Sequence, residues 1–294
     1  MRTSIEYEQV SVMATISFPS SFVSTSKSPR PSVQWAIRHG FHAVEFNGNH
    51  APLTDFSEDD RKYLRAKTVQ HGLTYTYHFK SDAMPGSYDE ARRASDLKHL
   101  KDNLIAGSEI GTKIFVIHPG KIDVQRNGQR PGHDPTRLEA IQHLVEFMKA
   151  AAPAAENLGI SLCLENMHHN PGWVLQSFAE LAKVVTDVGS PMVAATFDVG
   201  HAWGAGSIEN GLEVLGSHIR HLHFHDCLGT AGSGIVDNQH LEIGTGLIDF
   251  SKYLAFVRSY PFVISLETES IQDPLGCILR SRDRLRQTLS GVVD

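Results

Sequence analysis

The chain has 294 residues, a length that fits one α/β barrel or two smaller domains. Its 33 acidic residues outnumber its 27 basic residues and leave a net charge of −6, so it lacks the excess of positive charge that a nucleic-acid partner requires. Three widely spaced cysteines argue against a disulfide framework, and no apolar run is long enough to cross a bilayer, so we expect a cytoplasmic protein without a membrane partner.

Short apolar segments alternate with helical segments along the chain. Most of the helical segments are followed by a glycine. For example, one predicted helix begins after the capping residue Ser57 and ends before Gly72. Pro153 lies inside the longest predicted helix, where we expect a kink or a break. The predicted strands are residues 10–18, 42–46, 73–79, 113–117, 160–164, 193–197, 219–224 and 261–266. The predicted helices are residues 33–39, 58–71, 88–110, 135–157, 177–188, 208–215, 250–258 and 274–289.

Polar residues at the ends of the predicted strands decide between two α/β folds. Eight strand–helix units imply a parallel sheet, which is either open and doubly wound or closed into a (β/α)8 TIM barrel. The strand ends of an open sheet lie along a line, whereas those of a barrel surround one mouth. We therefore predict a single-domain barrel over residues 1–294, because only a barrel brings all of these side chains together. They are Glu45, His78, His118, Glu165, Asp198, His223 and Glu267.

Three carboxylates and one imidazole of this ring form a candidate metal site. Asp198 ends an apolar run and is followed by His201 in a glycine-bearing turn. Between Lys183 and Lys252 the only lysine or arginine is Arg220. Few positively charged side chains are therefore available in this segment to balance its carboxylates. Three oxygen ligands and one nitrogen ligand suit Mn2+, Mg2+, Co2+ or Zn2+. We predict one bound divalent ion, and its ligands are Glu165, Asp198, His223 and Glu267.

Several short motifs carry a resemblance to a known group of proteins. The motifs are LENM at Glu165, FDVGH at Asp198, HFHD at His223, HLEIGTG from His240 and LETE at Glu267. They resemble the xylose isomerase-like TIM-barrel superfamily, which holds sugar isomerases and epimerases, dehydratases and endonucleases of the endonuclease IV class. For the epimerase branch, the resemblance implies that the four predicted ligands hold one metal ion. It also implies that Glu165 and Glu267 are the catalytic acid and base.

Four further histidines are implied by the endonuclease branch of the same superfamily. There the matching residues help to hold three zinc ions, and this sequence keeps all four: His78, His118, His201 and His240. The sequence has Asn238 where that branch has an aspartate, although Asp237 is adjacent. The four histidines are therefore expected to bind either the substrate or a weaker second ion.

The distribution of basic residues favours the epimerase branch. The loops after strands six to eight lack lysine and arginine, which a DNA-processing enzyme would need around the mouth. We predict an isomerase or epimerase of a small sugar or polyol-derived carbonyl compound that works through an enediolate. A multinuclear zinc hydrolase, a dehydratase and a non-catalytic metal- or sugar-binding barrel remain as alternatives, and the sequence leaves a homo-oligomer open.

Other residues near the mouth have less certain assignments. Glu45 is expected to bind a sugar hydroxyl or to close the bottom of the pocket, and Trp203 to stack on a sugar or to pack in the core. Lys121 is expected to hold an anionic group of the substrate or to be a solvated loop charge, as are Lys80, Arg126 and Arg130. His221 and His225 share the side-chain direction of His223, and we expect His221 inside the barrel and His225 nearer the mouth.

Overall fold

Parallel strands form the centre of the computed structural model, which describes residues 14–122, 134–168, 170, 172–231 and 238–290. The strands pair in the order β1-β8-β7-β6-β5-β4-β3-β2. They are short, as expected for strands that alternate with helices around a barrel. Their bounds are β1 Thr15–Ser17, β2 Ala43–Asn47, β3 Thr74–His78, β4 Ile114–Ile117, β5 Ser161–Glu165, β6 Val193–Asp198, β7 Ile219–Phe224 and β8 Val263–Leu266.

The first and last strands of this order approach one another and nearly close the barrel. An isolated parallel bridge joins Pro19 to Glu45, and the N–H of Glu45 donates to the carbonyl of Phe18 at 3.0 Å. All the other neighbours pair in parallel. The predicted single TIM barrel is therefore confirmed, and the open doubly wound sheet is excluded.

Helices follow most of the strands, and most of the predicted helices lie within about three residues of their expected bounds. Ser57 accepts a hydrogen bond from the N–H of Asp60 at the start of one helix, and Gly72 ends it in the left-handed conformation. The bounds are α1 Ser20–Val23, α2 Arg30–Arg38, α3 Glu58–His71, α4 Glu90–Glu109, α5 Asp134–Leu158, α6 Phe178–Val188, α7 Val199–Ala205, α8 Ile208–Leu215, α9 Leu254–Ser259 and α10 Pro274–Ser290. Short 3-10 turns cover Leu53–Asp55, Gly216–His218 and Phe250–Tyr253.

Three local predictions differ from the structure. α5 runs through Pro153 without the break that was one of the two expected outcomes, and it packs against its neighbours α4 and α6. The predicted glycine-bearing turn after Asp198 is the short helix α7, because the Asp198 carboxylate caps it by accepting the N–H of His201 at 2.6 Å. The first predicted strand is shorter than expected, and its residues 10–13 lie outside the described residues.

Two buried regions support the strand ends from below and from outside. A small cluster plugs the amino-terminal end of the barrel and comprises Ala43, Ile114, Cys163, Ala194 and Val263. A much larger apolar cluster fills the space between the strands and the helices. None of the helices in the described part of the chain has both the length and the apolar character needed to span a bilayer.

Candidate metal centre

Four side chains converge where neighbouring strands end. Glu165 and Asp198 are the last residues of β5 and β6, and His223 lies opposite Asp198 in the β6–β7 pairing. Glu267 directly follows β8. The Nδ1 atom of His223 is 3.2 Å from Oε1 of Glu165, 3.4 Å from Oε2 of Glu267 and 3.9 Å from Oδ2 of Asp198. The structure thus brings together the four residues that the sequence predicts as metal ligands.

The donor atoms of these four residues fit a divalent cation. One ligand atom from each lies within 4.8 Å of the others, and Glu165, Asp198 and His223 are buried. The Oδ2 atom of Asp198 has no hydrogen-bond partner among the described residues. Buried carboxylates this close together repel one another unless a cation lies between them. An oxygen-rich set with one imidazole is suitable for Mn2+, Mg2+, Co2+ or Zn2+.

A second group of ligand atoms lies on the β3–β4 side and shares Glu165. The Oε2 atom of Glu165 is 3.1 Å from Nε2 of His118 and 3.6 Å from Nε2 of His78. The Nδ1 atom of His78 is 2.8 Å from the carbonyl oxygen of Phe79, which holds the ring with its other nitrogen toward the site. His78, His118 and Glu165 therefore have the spacing of a further cation site.

A third group lies on the other side and shares Asp198. The Nε2 atom of His225 is 3.1 Å from Oδ1 of Asp198, and Nδ1 of His201 is 3.6 Å from Oδ2. A Cβ atom on Gly200 would lie 2.0 Å from the ring of His225, so only glycine fits there. His225 directly follows β7 and is completely buried, and the sequence predicted no ligand role for it.

Asn166 is a site residue that the sequence analysis missed. Its side-chain amide donates to the carbonyl of Asp198 at 3.0 Å, and its oxygen accepts the N–H of Asp198 at 2.8 Å. Its own carbonyl is 3.0 Å from Nδ1 of His201. Asn166 therefore extends the β5–β6 pairing by one residue and positions the side chains of Asp198 and His201. The only signal in the sequence is its place directly after Glu165 in the LENM motif.

His240 lies at the wall of the site and belongs to none of the groups of possible metal ligands among the described residues. Its Nδ1 atom is 2.8 Å from the carbonyl oxygen of Glu267 and 3.9 Å from Oε2 of that side chain. Its ring lies against the ring of His225, with 4.3 Å between the centroids. This position suits a substrate contact next to Glu267.

Burial and the neighbouring charges set the ionisation of the two glutamates differently. Burial raises the pKa of Glu267 to about 6, with the positive charge of His223 opposing this and the negative charge of Glu165 adding to it. Burial alone would also raise the pKa of Glu165, but the positive charge of His223 and the hydrogen bond from His118 hold that pKa well below its usual range. The two glutamates of the four-residue group therefore have surroundings that shift their pKa values in opposite directions.

Three residues predicted as substrate contacts do not line the cavity. Glu45 is the third residue of β2, not a strand-end residue, and its completely buried carboxylate lies beneath His223. Glu45 therefore closes the bottom of the site, which is the second of the two roles that the sequence analysis expected for it. The Nε1 atom of Trp203 donates to the carbonyl of Gly229 at 2.6 Å. Lys121 lies over the ring of Trp173 at 5.2 Å, behind the wall that this ring forms.

The cavity above the candidate metal ligands has a volume of about 290 Å³. No lysine or arginine lines it among the described residues, and the nearby Lys80 pairs with the buried Asp96 at 2.5 Å. Arg126 and Arg130 lie outside the described residues. The wall combines amide, hydroxyl and imidazole groups with apolar surface. Its members beside the site histidines and glutamates include Asn47, Asn49, Ser81, Gln239, Phe22, Met167 and Trp173.

A barrel with carboxylates and histidines gathered at the carboxyl ends of its strands defines the class of TIM-barrel proteins whose candidate site lies at that end. The sequence pattern of the xylose isomerase-like TIM barrel family matches residues 33–288, and the chain belongs to this family. The resemblance that the sequence motifs carry is thereby confirmed.

Individual relatives represent different activities. An uncharacterized protein of Methanocaldococcus jannaschii is 29% identical over 278 residues, which are 92% of this chain and 88% of the relative. A probable endonuclease 4 of Mycoplasmoides gallisepticum is 26% identical over 240 residues, covering 76% of this chain and 75% of the relative. The solved structure of a D-tagatose 3-epimerase-like protein superposes with a TM-score of 0.76 at 27% identity, covering 94% of this chain and 97% of that chain.

Proposed function

We propose that the protein is a divalent-metal-dependent isomerase or epimerase of a small sugar or polyol-derived carbonyl compound. The observation that carries this proposal is the 290 Å³ cavity, in which both Glu165 and Glu267 line the wall directly above the other metal ligands. The cavity is large enough for a monosaccharide and, in the described residues, offers no cation to a phosphate backbone. The similarity to the D-tagatose 3-epimerase-like protein supports the same class of reaction.

In the proposed reaction the two glutamates move one proton. Glu165, Asp198, His223 and Glu267 would hold a divalent ion, which would supply Lewis-acid stabilisation of negative charge on a carbonyl oxygen. One of Glu165 and Glu267 removes the proton next to the carbonyl, and the other returns it. Glu267 suits the role of base because its side chain is 13% exposed, against 1% for Glu165, and it lines the cavity.

The remaining wall residues bind and orient the substrate in this proposal. Asn47 and Gln239 present amide groups to the sugar hydroxyls, and His118 and His240 present imidazoles. Trp173 and Phe22 cover the site with apolar surface, which strengthens electrostatic interactions beneath them by excluding water.

Proton exchange in heavy water tests the proposal directly. Protein reconstituted with Mn2+, Co2+ or Zn2+ is incubated in D2O with a panel of ketoses and aldoses, and deuterium next to the carbonyl is measured by NMR. We expect exchange and an epimer or isomer of at least one sugar, and neither with the Glu267→Gln variant. Absence of exchange with every sugar by metal-loaded protein would contradict the proposal.

A multinuclear hydrolase is the second candidate because two histidine-containing groups flank the four-ligand site. One flanking group shares Glu165 with the four-ligand site, and the other shares Asp198. Shared carboxylates are typical of sites that hold several metal ions. The probable endonuclease 4 relative favours this reading. Cleavage of duplex DNA at an abasic site, together with a nanomolar complex that salt weakens steeply, would place it first. A dehydratase would use the same proton abstraction and is recognised by a product that has lost water.

A further inference from the structure

A buried carboxylate outside the metal ligands organises part of the cavity wall. Asp226 is completely buried, and each of its carboxylate oxygens accepts two backbone N–H groups. Oδ1 accepts from Cys227 at 2.9 Å and from Ile248 at 3.1 Å. Oδ2 accepts from Gly244 and from Gly246, both at 2.9 Å. No lysine or arginine pairs with this carboxylate in the part of the chain that is described.

The backbone of Asp226 also forms hydrogen bonds with the segment that its carboxylate binds. Its N–H donates to the carbonyl of Leu241 at 3.0 Å, and the N–H of Leu241 donates back at 2.9 Å. Residues 238–249, which we call the 238–249 loop, are therefore folded around this one residue. An ionised carboxylate is expensive to bury, and these charge-assisted hydrogen bonds are what offsets its desolvation.

The sequence of the loop is adapted to this close approach. A Cβ atom on Gly246 would lie 2.3 Å from Oδ1 of Asp226, so no other residue fits without a shift. Gly244 has a φ of 81°, in the left-handed region that glycine favours. The GTG tripeptide at residues 244–246 thus lets the backbone curl around the carboxylate.

The loop carries His240 to the active site in a strained conformation. His240 has a φ of 63°, which is uncommon for a residue with a side chain. Its N–H donates to Nδ1 of His225 at 2.9 Å, and its carbonyl accepts the N–H of Glu269 at 2.6 Å. Such a conformation persists only where the surroundings hold it firmly, and Leu241, the next residue, is paired with Asp226.

We propose that Asp226 is a positioning residue: it holds the 238–249 loop closed and thereby places His240 beside Glu267 as a substrate contact. The placement of the loop rests on the geometry alone, whereas the substrate contact rests on the proposed function. Asp226 touches none of the predicted metal ligands through its carboxylate, so its effect on the reaction passes through His240.

Hydrogen exchange of the full-length Asp226→Asn variant tests the placement without any activity. An asparagine amide keeps one acceptor oxygen, so two of the four N–H groups lose their partner. We expect the amides of Leu241, Gly244, Gly246 and Ile248 to exchange at least about tenfold faster than in the wild type. The control is Asp96→Asn, whose carboxylate is equally buried but lies on α4, and it should change the exchange of these four amides no more than that of amides elsewhere in the barrel. Unchanged exchange in Asp226→Asn would overturn the proposal.

Steady-state kinetics tests whether Asp226 acts through His240 as a substrate contact. The substrate is the sugar identified by deuterium exchange in D2O. We expect Asp226→Asn to raise KM about tenfold with a smaller change in kcat, and the double variant with His240→Ala to be no worse than His240→Ala alone. A structural role only would lower kcat with KM unchanged and act additively with His240→Ala, which would contradict the positioning role. If no sugar is turned over, the proposed function fails. The hydrogen-exchange result still shows whether Asp226 holds the 238–249 loop in place. If Asp226→Asn does not fold, Gly246→Ala opens the same loop and takes its place in both measurements.

Discussion

The Nε2 atom of His221 lies 2.7 Å from Oε2 of Glu45 at the completely buried centre of the barrel. The same oxygen accepts the hydroxyl of Thr76 at 2.9 Å, while Oε1 accepts the hydroxyl of Ser265 at 3.0 Å and lies 3.4 Å from Nε2 of His223. Each oxygen of Glu45 is thus shared by one hydroxyl and one imidazole. One of these imidazoles belongs to a predicted metal ligand, whose orientation the carboxylate sets.

The Glu45→Gln variant should bind its metal ion about 10–100-fold more weakly while remaining folded. A glutamine offers only one acceptor oxygen, so either His221 or His223 loses its partner. Titration calorimetry with Mn2+ and with Zn2+ measures the affinity, and circular dichroism checks the fold. The exposed Glu146→Gln is the matched control and should bind as the wild type does. Equal affinity in Glu45→Gln would show that this carboxylate does not orient His223.

The Glu267→Gln and Glu165→Gln variants should each lose about 10²–10⁴-fold in turnover of the identified sugar. Each change removes a metal ligand and a proton carrier together, while the size of the side chain is preserved. Glu269→Gln is the matched control because Glu269 also lines the cavity but belongs to none of the ligand groups. Near-normal turnover in either ligand variant would contradict the two-glutamate mechanism.

The metal content of the wild type and of His118→Ala separates the two candidate functions. We expect one tightly bound ion in both proteins, because the group of His78, His118 and Glu165 contributes one carboxylate against three in the main group. Elemental analysis after purification without chelator gives the number. His143→Ala, on α5, is the control. Two tight ions in the wild type and one in His118→Ala would favour the hydrolase.

The stability of the fold should depend on Asp96 in a pH-dependent way. Burial would raise the pKa of this carboxyl, but hydrogen bonds from Lys80, the N–H of Met84 and Arg92 hold it below its usual range. A lowered pKa in the folded state stabilises the protein above the unfolded-state value, which is about 3.9, and this stabilisation is lost as the pH falls through the folded-state pKa.

We therefore expect Asp96→Asn to reduce the free energy of unfolding by about 1–3 kcal/mol at pH 7 and by progressively less below about pH 4. Urea unfolding at several pH values measures the difference. Asp187→Asn, which removes an exposed ion pair with Lys183, should change stability by less than about 1 kcal/mol at any pH. A difference between wild type and Asp96→Asn that is independent of pH would contradict this account of the ion pairs.

The sequence by itself determined the barrel and the residues around its mouth. Apolar runs such as Val193–Asp198 and helix signals such as Ser57 and Gly72 report local burial and local hydrogen bonding, which depend little on distant residues. Because parallel strands of a barrel end at one mouth, a polar residue after each run already predicts that Glu165, Asp198 and their partners converge.

Only the tertiary structure decided how deep each side chain lies and which partner it contacts. Glu45 lies beneath the site because it is in the middle of β2, and the pairing of Asp198 with His223 depends on a register shift between Ala195 and Thr196 that no periodicity signals. The Asp226 carboxylate meets N–H groups up to 22 residues further along the chain. Such contacts depend on strand register and loop path, which are set by packing across the whole barrel, so no local pattern in the sequence encodes them.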